Sequence, residues 1–305
     1  MSAGPTTYVE AIRQGIWEEM ERDDSVFVIG EDVGAYGGAF KVTAGLLDRF
    51  GERRVIDAPL SEAAIVAAGT GAAIAGLRPV VEMQFADFIS CAYDQIVNFA
   101  AKSRYRWGAG VPMVIRGPSG GGIHGGPFHS QNPEMPFVHT PGLKVVAPAT
   151  AYDAKGLIKA AIRDNDPVLF FEHKALYRKV KEDLPAGDYV VPLGKAAIRR
   201  AGQDISVITY GAMVHVALEA AATLAGEGID LEIVDLRTLA PLDEAAVLET
   251  VRKTGKVILL HEDTMTGGLA GELAARISEK AFDYLDGPIV RITAPDCPVP
   301  YSPPL

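Results

Sequence analysis

The chain is poor in cysteine, in basic charge and in long apolar runs, and each shortage removes a class of function. Its 305 residues hold two cysteines, Cys91 and Cys297, far apart and outside any Cys-x-x-Cys pair. That usage argues against a disulfide framework and fits a reducing cytoplasm, the expected location. Lys and Arg number 29 against 39 Asp and Glu, for a net charge of −10. Neither nucleic acid nor an anionic membrane is expected as the main partner of such a chain, whereas a basic protein is compatible with it. The apolar run 63–77 is too short to span a bilayer and is interrupted by glycines. The N-terminal Met-Ser-Ala-Gly-Pro-Thr-Thr lacks a basic stretch followed by an apolar one, so no secretory signal is expected. There is no Gly-Lys-Ser/Thr phosphate loop and no Gly-x-Ser-x-Gly nucleophile elbow. The six histidines form no ligand set with either cysteine, so structural zinc is not expected.

What the chain does have is an uncharged helix with a carboxylate at its mouth. Residues 63–77 are apolar on every side, which predicts a helix buried all round. They are mostly Ala and Gly, so backbone or a ligand can come close. Glu62 falls in the first turn, where free N–H groups and the helix dipole favour a carboxylate. On this stretch alone the plainer reading is that Glu62 belongs to an ordinary helix start, with Ser61 as cap.

Along the rest of the chain, strand and helix signals alternate. Helices are expected over Tyr8–Arg22, Thr43–Phe50, Cys91–Arg106, 151–164, Val214–Leu224, 243–252 and 269–284, with Thr43 as a possible cap. Strands are expected at Val26–Gly30, Arg54–Asp57, Pro79–Phe85, Val111–Arg116, 144–148, Val168–Glu172, 205–210, 231–236, 257–260 and 289–292. A charged, Pro/Gly-rich stretch at 180–194 reads as a linker. The pattern predicts an α/β protein of two three-layer domains with mostly parallel sheets, over residues 1–185 and 193–305. Such sheets place ligands beyond the carboxyl ends of their strands. Four polar elements fall there in the first domain: Glu31, Glu62, Gln84 with Phe88, and the loop 117–131. Gln84 is expected on the same strand face as Phe88.

Gly120, Gly122 and Gly125 match Gly-x-Gly-x-x-Gly, but prolines 127, 133 and 136 follow in place of a helix, and no acidic residue stands about 20 positions on. Dinucleotide binding is therefore not expected. The glycines instead leave a closely approachable backbone beside His129, whose side chain suits proton transfer or contact with an anion.

Seven segments occur together: Pro-Leu-Ser-Glu (59–62), Met-Gln-Phe-Ala-Asp-Phe (83–88), Tyr-Asp-Gln-Ile (93–96), Phe-His-Ser-Gln (128–131), Pro-Gly-Leu-Lys-Val-Val (141–146), Tyr-Asp-Ala-Lys-Gly-Leu (152–157) and Asp-Leu-Arg-Thr-Leu-Ala-Pro-Leu-Asp (235–243). With this set the chain resembles, over nearly its whole length, the beta subunit of the decarboxylating first component of 2-oxo acid dehydrogenase complexes. Members act on pyruvate, branched-chain 2-oxo acids or acetoin. The resemblance implies a transketolase-like pyrimidine-binding domain followed by a transketolase C-terminal-like domain. It implies that Glu62 hydrogen-bonds the aminopyrimidine of thiamine diphosphate, that Phe88 stacks on it, and that Gln84 and Glu31 lie nearby. It implies that His129 meets the substrate and the incoming lipoyl group. It further implies a monovalent-cation site, such as one for potassium, at Met113, Ala161, Ile162, Asp164 and Asp166, although relatives often carry Asn at the last position. For Asp164 and Asp166 a solvated helix end is the plainer reading.

Two departures from the family matter. The diphosphate–magnesium motif, Gly-Asp-Gly followed by Asn-Asn, occurs nowhere in the chain. In this family a separate alpha subunit holds magnesium, so the resemblance implies a site between chains in an alpha2beta2 heterotetramer. The expected partners are that alpha subunit, a lipoyl-bearing dihydrolipoyl acyltransferase core and a small 2-oxo acid. The chain also ends at Pro303-Pro304-Leu305, where relatives usually continue. Two other readings stay open at this point: the C-terminal half of a split transketolase, and a non-catalytic interaction subunit of the same fold.

Overall fold

The computed structural model describes residues 4–302. The chain end at Pro303-Pro304-Leu305 lies outside the described residues. The first part runs β1 (Thr6–Thr7), α1 (Tyr8–Arg22), β2 (Val26–Gly30), α2 (Leu46–Phe50), β3 (Val55–Asp57), α3 (Glu62–Ile74), β4 (Arg78–Glu82), α4 (Ser103–Trp107), β5 (Val114–Ser119), α5 (Met135–Val138), β6 (Lys144–Val146), α6 (Ala151–Arg163), β7 (Val168–His173) and β8 (Lys181–Glu182). The second runs β9 (Ala197–Arg200), β10 (Ile205–Thr209), α7 (Met213–Ala225), β11 (Leu231–Asp235), β12 (Thr238–Ala240), α8 (Glu244–Thr254), β13 (Val257–Thr264), α9 (Leu269–Ala281) and β14 (Val290–Ala294).

Among the described residues a seven-stranded sheet has the order β12-β6-β7-β5-β4-β2-β3 and a five-stranded sheet the order β14-β13-β10-β11-β9. Both are parallel except at the edge strands β12 and β9. Central strands such as β2 and β7 are buried throughout, as sheets covered on both faces require. Helices α1 and α6 cover one face of the first sheet through Tyr8, Ile12, Ile16, Leu157 and Ile158. On its other face, α3 and residues 86–101 join a core that continues through Tyr210, Val234 and Leu239 into the second sheet. Helix α7 packs on the opposite face of that second sheet. The expected α/β class, with two layered units and mostly parallel sheets, is the observed one.

The second unit also completes the first sheet. After β11 the chain crosses back, and β12 pairs antiparallel with β6. Ionic contacts fix this crossing. Asp153 on α6 accepts from Arg237 at 3.0 Å and from Arg199, and Arg199 also reaches Asp235 at 2.7 Å. The motifs Tyr-Asp-Ala-Lys and Asp-Leu-Arg-Thr therefore meet each other. The stretch 180–194 is tied down as well: β8 pairs with β1, and Val191 N–H donates to the Gly156 carbonyl.

Four local expectations need correction. The helix expected over Thr43–Phe50 begins only at Leu46, because Gly45 is left-handed at φ 83°; Thr43 donates its hydroxyl to the Val33 carbonyl instead of capping. Ser61 likewise makes no cap bond, and its hydroxyl donates to the Pro59 carbonyl. The helix expected over Cys91–Arg106 is a 3-10 turn over Ala86–Ala92, a π turn over Gln95–Ala100 and α4; the wide turn keeps both Ile96 and Ala100 buried. Helix α3 is not covered all round. Ile65, Val66, Gly69, Thr70 and Ala73 are buried, whereas Ala63, Ala64, Ala67, Ala68 and Gly71 are exposed on the chain by itself.

Within α3 two glycines have opposite surroundings. A Cβ at Gly69 would meet Val81 Cγ2 at 2.7 Å and Met113 Sδ at 3.0 Å, whereas one at Gly71 meets nothing within 4 Å. Overpacking costs about 1–3 kcal/mol, against a helix-propensity gain of about 0.5–1 kcal/mol for Gly to Ala. Gly69→Ala is therefore expected to lower the thermal midpoint of the purified chain and Gly71→Ala to raise it slightly. Scanning calorimetry checks both, and equal shifts for the two variants would contradict the packing described.

Candidate active site

The four strands β5, β4, β2 and β3 are consecutive neighbours, so their carboxyl ends share one edge of the sheet. Each delivers one of the polar elements read from the sequence. Glu31 follows β2 and is buried at 7% exposure, and its Oε1 has no hydrogen-bond partner. Burial raises its pKa, and the nearby Glu62 carboxylate adds to the rise against the lowering effect of the Ser61 N–H. Glu62 opens α3 beyond β3 and is itself buried. Two carboxyl groups thus lie near each other at a helix N-terminus, and that proximity holds the buried Glu31 towards its protonated form.

Gln84 follows β4 and donates to Asp32 Oδ2 at 3.0 Å. Phe88 does not share a strand face with it, since β4 ends at Glu82 and Phe88 lies in the 3-10 turn. That turn carries Phe88 to His129, edge to face with centroids 5.5 Å apart. Phe85 completes the group, 4.7 Å from the His129 ring and 5.4 Å from Phe40. The loop that bears His129 is anchored by Asp87, whose Oδ1 accepts from the Gln131 backbone N–H and side-chain amide, each at 3.0 Å. Phe85 and Asp87 were not singled out by the sequence reading, although both lie in the Met-Gln-Phe-Ala-Asp-Phe segment that carries Gln84 and Phe88.

Beneath this edge lies a buried charge cluster. Arg116 on β5 donates to both oxygens of Glu172 on β7 at 2.5 Å and to Glu82 on β4. Tyr177 OH donates to Glu172 at 2.6 Å. Burial raises Glu82 to about 7 despite the neighbouring guanidinium. The signal for this cluster was available: Glu82, Arg116 and Glu172 each follow directly on an apolar run, at 80–81, 114–115 and 168–171.

The residues implied for a monovalent cation lie far along the sheet at its opposite end, and their oxygens are engaged. Met113 O accepts from Val168 N–H at 2.9 Å, Ala161 O from Asp164 N–H at 3.2 Å and Ile162 O from Arg78 at 2.9 Å. Lys144 holds Asp164 at 2.6 Å, and Arg104 holds Asp166. Both carboxylates of the segment are thus ion-paired with side chains of other elements. Among the described residues no group of three or more His, Cys, Asp or Glu side chains is placed to hold a metal, and no helix is long and apolar enough to cross a membrane.

Removing the carboxylate of Asp87 breaks two hydrogen bonds, each worth about 1 kcal/mol. Asp87→Ala is expected to speed amide exchange across residues 124–131, with little change in α1 and α6. Hydrogen-exchange mass spectrometry reads both regions, and unchanged exchange in the loop would refute the anchor.

Residues 5–180 match the family described as Transketolase, pyrimidine binding domain, and residues 194–305 match Transketolase, C-terminal domain. The 2-oxoisovalerate dehydrogenase subunit beta of Bacillus subtilis is 56% identical over 302 residues, 97% of this chain and 92% of that protein. The pyruvate dehydrogenase E1 component subunit beta of the same organism is 44% identical over 298 residues, 97% and 92% of the two chains. A solved structure, a split gene transketolase described as an inactive beta4 tetramer, superposes with a TM-score of 0.79 at 23% identity, covering 98% of this chain and 91% of that one, and so shares the fold. The chain belongs to the transketolase-like family of beta subunits of 2-oxo acid dehydrogenase first components.

Proposed function

We propose that this chain is the beta half of a thiamine diphosphate-dependent 2-oxo acid dehydrogenase, acting with an alpha subunit in an alpha2beta2 heterotetramer. The observation that carries the reading is the meeting of Glu31 and Glu62 at the α3 N-terminus, on the sheet edge that also bears Phe88 and His129. The residues present fit the aminopyrimidine half of the cofactor. Glu62 offers a buried carboxyl that can share a proton with a ring nitrogen, and Glu31 Oε1 is a second buried acceptor without a partner. Phe88 offers a half-buried ring face, and Gln84, bonded to Asp32, a side-chain amide. When bound, thiamine diphosphate supplies the thiazolium carbon that attacks the 2-oxo acid. Glu62 moves the proton that activates it, as a carboxyl placed at the helix mouth against a ring nitrogen can give and take a proton. His129, wedged between Phe85 and Phe88, presents its imidazole to the substrate side and serves acyl transfer to the lipoyl group of an acyltransferase core.

The diphosphate half, with its magnesium, is assigned to the alpha subunit, since this chain lacks Gly-Asp-Gly and Asn-Asn. The exposed Ala/Gly face of α3 suits close approach by another chain. A potassium ion at residues 161–166 stays outside the reading. Of the two Bacillus subtilis paralogues, the one named for 2-oxoisovalerate is 56% identical and the one named for pyruvate 44%. The substrate proposed is therefore a branched-chain 2-oxo acid.

Two experiments test the reading. The chain alone, with thiamine diphosphate, magnesium and an artificial electron acceptor, is expected to turn over no 2-oxo acid. Co-expressed with its alpha partner it should oxidise 2-oxoisovalerate faster than pyruvate. Robust turnover by the isolated chain, or a pyruvate preference in the complex, would overturn the corresponding part.

Glu62→Gln keeps the size and helix propensity of the side chain and removes its proton exchange. A positioned acid–base group contributes about 10²–10⁴-fold in rate, so a turnover loss in that range is expected from a folded, cofactor-loaded complex. Thiazolium hydrogen–deuterium exchange measured by NMR should slow with it. Normal exchange in Glu62→Gln would mean that Glu62 does not have this role.

A further inference from the structure

Between the His129 loop and the second sheet lies a small, partly enclosed cavity of about 10 Å3, lined by Ser119, Asn132, Glu134, His173, Tyr210 and Glu262 among others. Three of these side chains bring unpartnered buried atoms: Glu134 Oε2, Tyr210 OH and Asn132 Oδ1. Glu134 is 2% exposed and Tyr210 5%. Buried polar atoms are nearly always satisfied, and a polar cavity of this size holds one water given two to four partners. We infer that this cavity is a structural water site, in which one water joins Glu134 and Asn132 of the first unit to Tyr210 of the second.

The charge of the lining selects a neutral occupant over a cation. The Glu262 carboxylate already accepts from Gly121 N–H at 2.7 Å, meets His173 Nε2 at 2.5 Å, and takes the Asn132 amide. Glu134 has only its own backbone N–H as a donor, and its Oε2 has none. Burial raises it to about 8, with Asp263 and Glu262 adding to the rise and Lys174 opposing it. The same burial keeps the Tyr210 phenol neutral. His261, which also flanks Tyr210, is pushed towards its neutral form by burial. Glu134 O–H and Tyr210 O–H then donate to the water, which donates to Asn132 Oδ1. Glu134 stands five residues from His129 and caps α5 with its carbonyl, accepting from Val138 N–H at 3.0 Å. Through this water the second unit steadies the segment that follows the His129 loop, whatever reaction that loop serves.

The test uses the co-expressed alpha/beta complex and reads structure and stability rather than turnover. A crystal structure is expected to show one density peak within hydrogen-bond distance of Glu134, Tyr210 and Asn132, with distances typical of water. Glu134→Gln preserves a neutral, hydrogen-bonding side chain and should keep the midpoint of unfolding within about 2–4 °C of the parent at pH 6, whereas Glu134→Leu and Tyr210→Phe should fall by more than that. The pH dependence supplies a second arm. A carboxyl whose folded pKa lies above its unfolded value makes stability fall as pH rises between the two, here from about 4.5 to about 8, since the folded state holds the extra proton. Glu134→Gln should flatten that decline relative to the parent. An absent peak, coordination distances of a metal cation, or a Gln variant as damaged as the Leu variant would each overturn the inference. Should the Leu variant fail to assemble, Tyr210→Phe and the Gln pH profile decide it.

Discussion

The sheet edge that gathers the site rests on one buried cation. Arg116, 1% exposed, bridges three adjacent strands through Glu82 on β4 and Glu172 on β7. Its own position on β5 leads directly into the loop that carries His129. A single guanidinium facing two carboxylates leaves a surplus negative charge, and burial answers it by raising Glu82 to about 7. Replacing a matched buried pair by apolar residues is often harmless, but removing one member leaves a bare charge and costs about 3–5 kcal/mol. The cluster is thus more a specifier than a source of stability. It fixes the relative register of β4, β5 and β7, and so the positions of Gln84, His129 and His173.

The division of labour between the two units follows from connectivity. The chain leaves the first sheet after β7 and returns to it as β12, with Asp153, Arg199, Asp235 and Arg237 closing the junction. A strand lent across a boundary makes relative motion of the units costly, because ladder bonds and ion pairs would have to break together. The contacts of Glu262 with Gly121 and His173 lie on the same side as the His129 loop. The second unit therefore acts on the site as a fixed wall that limits where the loop can go.

Alternation of strands and helices made the α/β class legible, and the helix expected over Tyr8–Arg22 has the bounds of α1, with Ile12, Ile16 and Met20 buried and Trp17 partly so. The polar elements after β2, β3, β4 and β5 were legible because such sheets put ligands at one end. Legibility failed where tertiary contacts override local pattern. Cys91–Arg106 has good helical spacing, yet its turns tighten and widen to bury Ile96 and Ala100. Edge strands β9 and β12 are short and pair with distant partners, so no local period marks them. Phe85 and Asp87 act through neighbours brought together only by folding. The ion pairs of Asp164 with Lys144 and of Asp166 with Arg104 join distant elements and could not be seen from the segment itself.

Charge explains why the assembled rim reads as half of a site. Glu31, Asp32, Asp57 and Glu62 cluster at the ends of β2 and β3, on a chain whose net charge is −10. Among the hydrogen bonds they make, Gly34 N–H serves Asp57 at 2.6 Å and Gln84 serves Asp32 at 3.0 Å; neither donor is a cation. Such a rim suits a neutral ring with basic nitrogens, to which a carboxyl can give and from which it can take a proton. It is hostile to a diphosphate, which would add negative charge beside four carboxyl groups with no nearby Lys or Arg ion-paired to them. A cofactor with a pyrimidine at one end and a diphosphate at the other can satisfy both demands only by lying with its anionic end against a different surface. On the proposed reading, that electrostatic polarity, more than any single contact, is the reason for a second chain to take part in the chemistry.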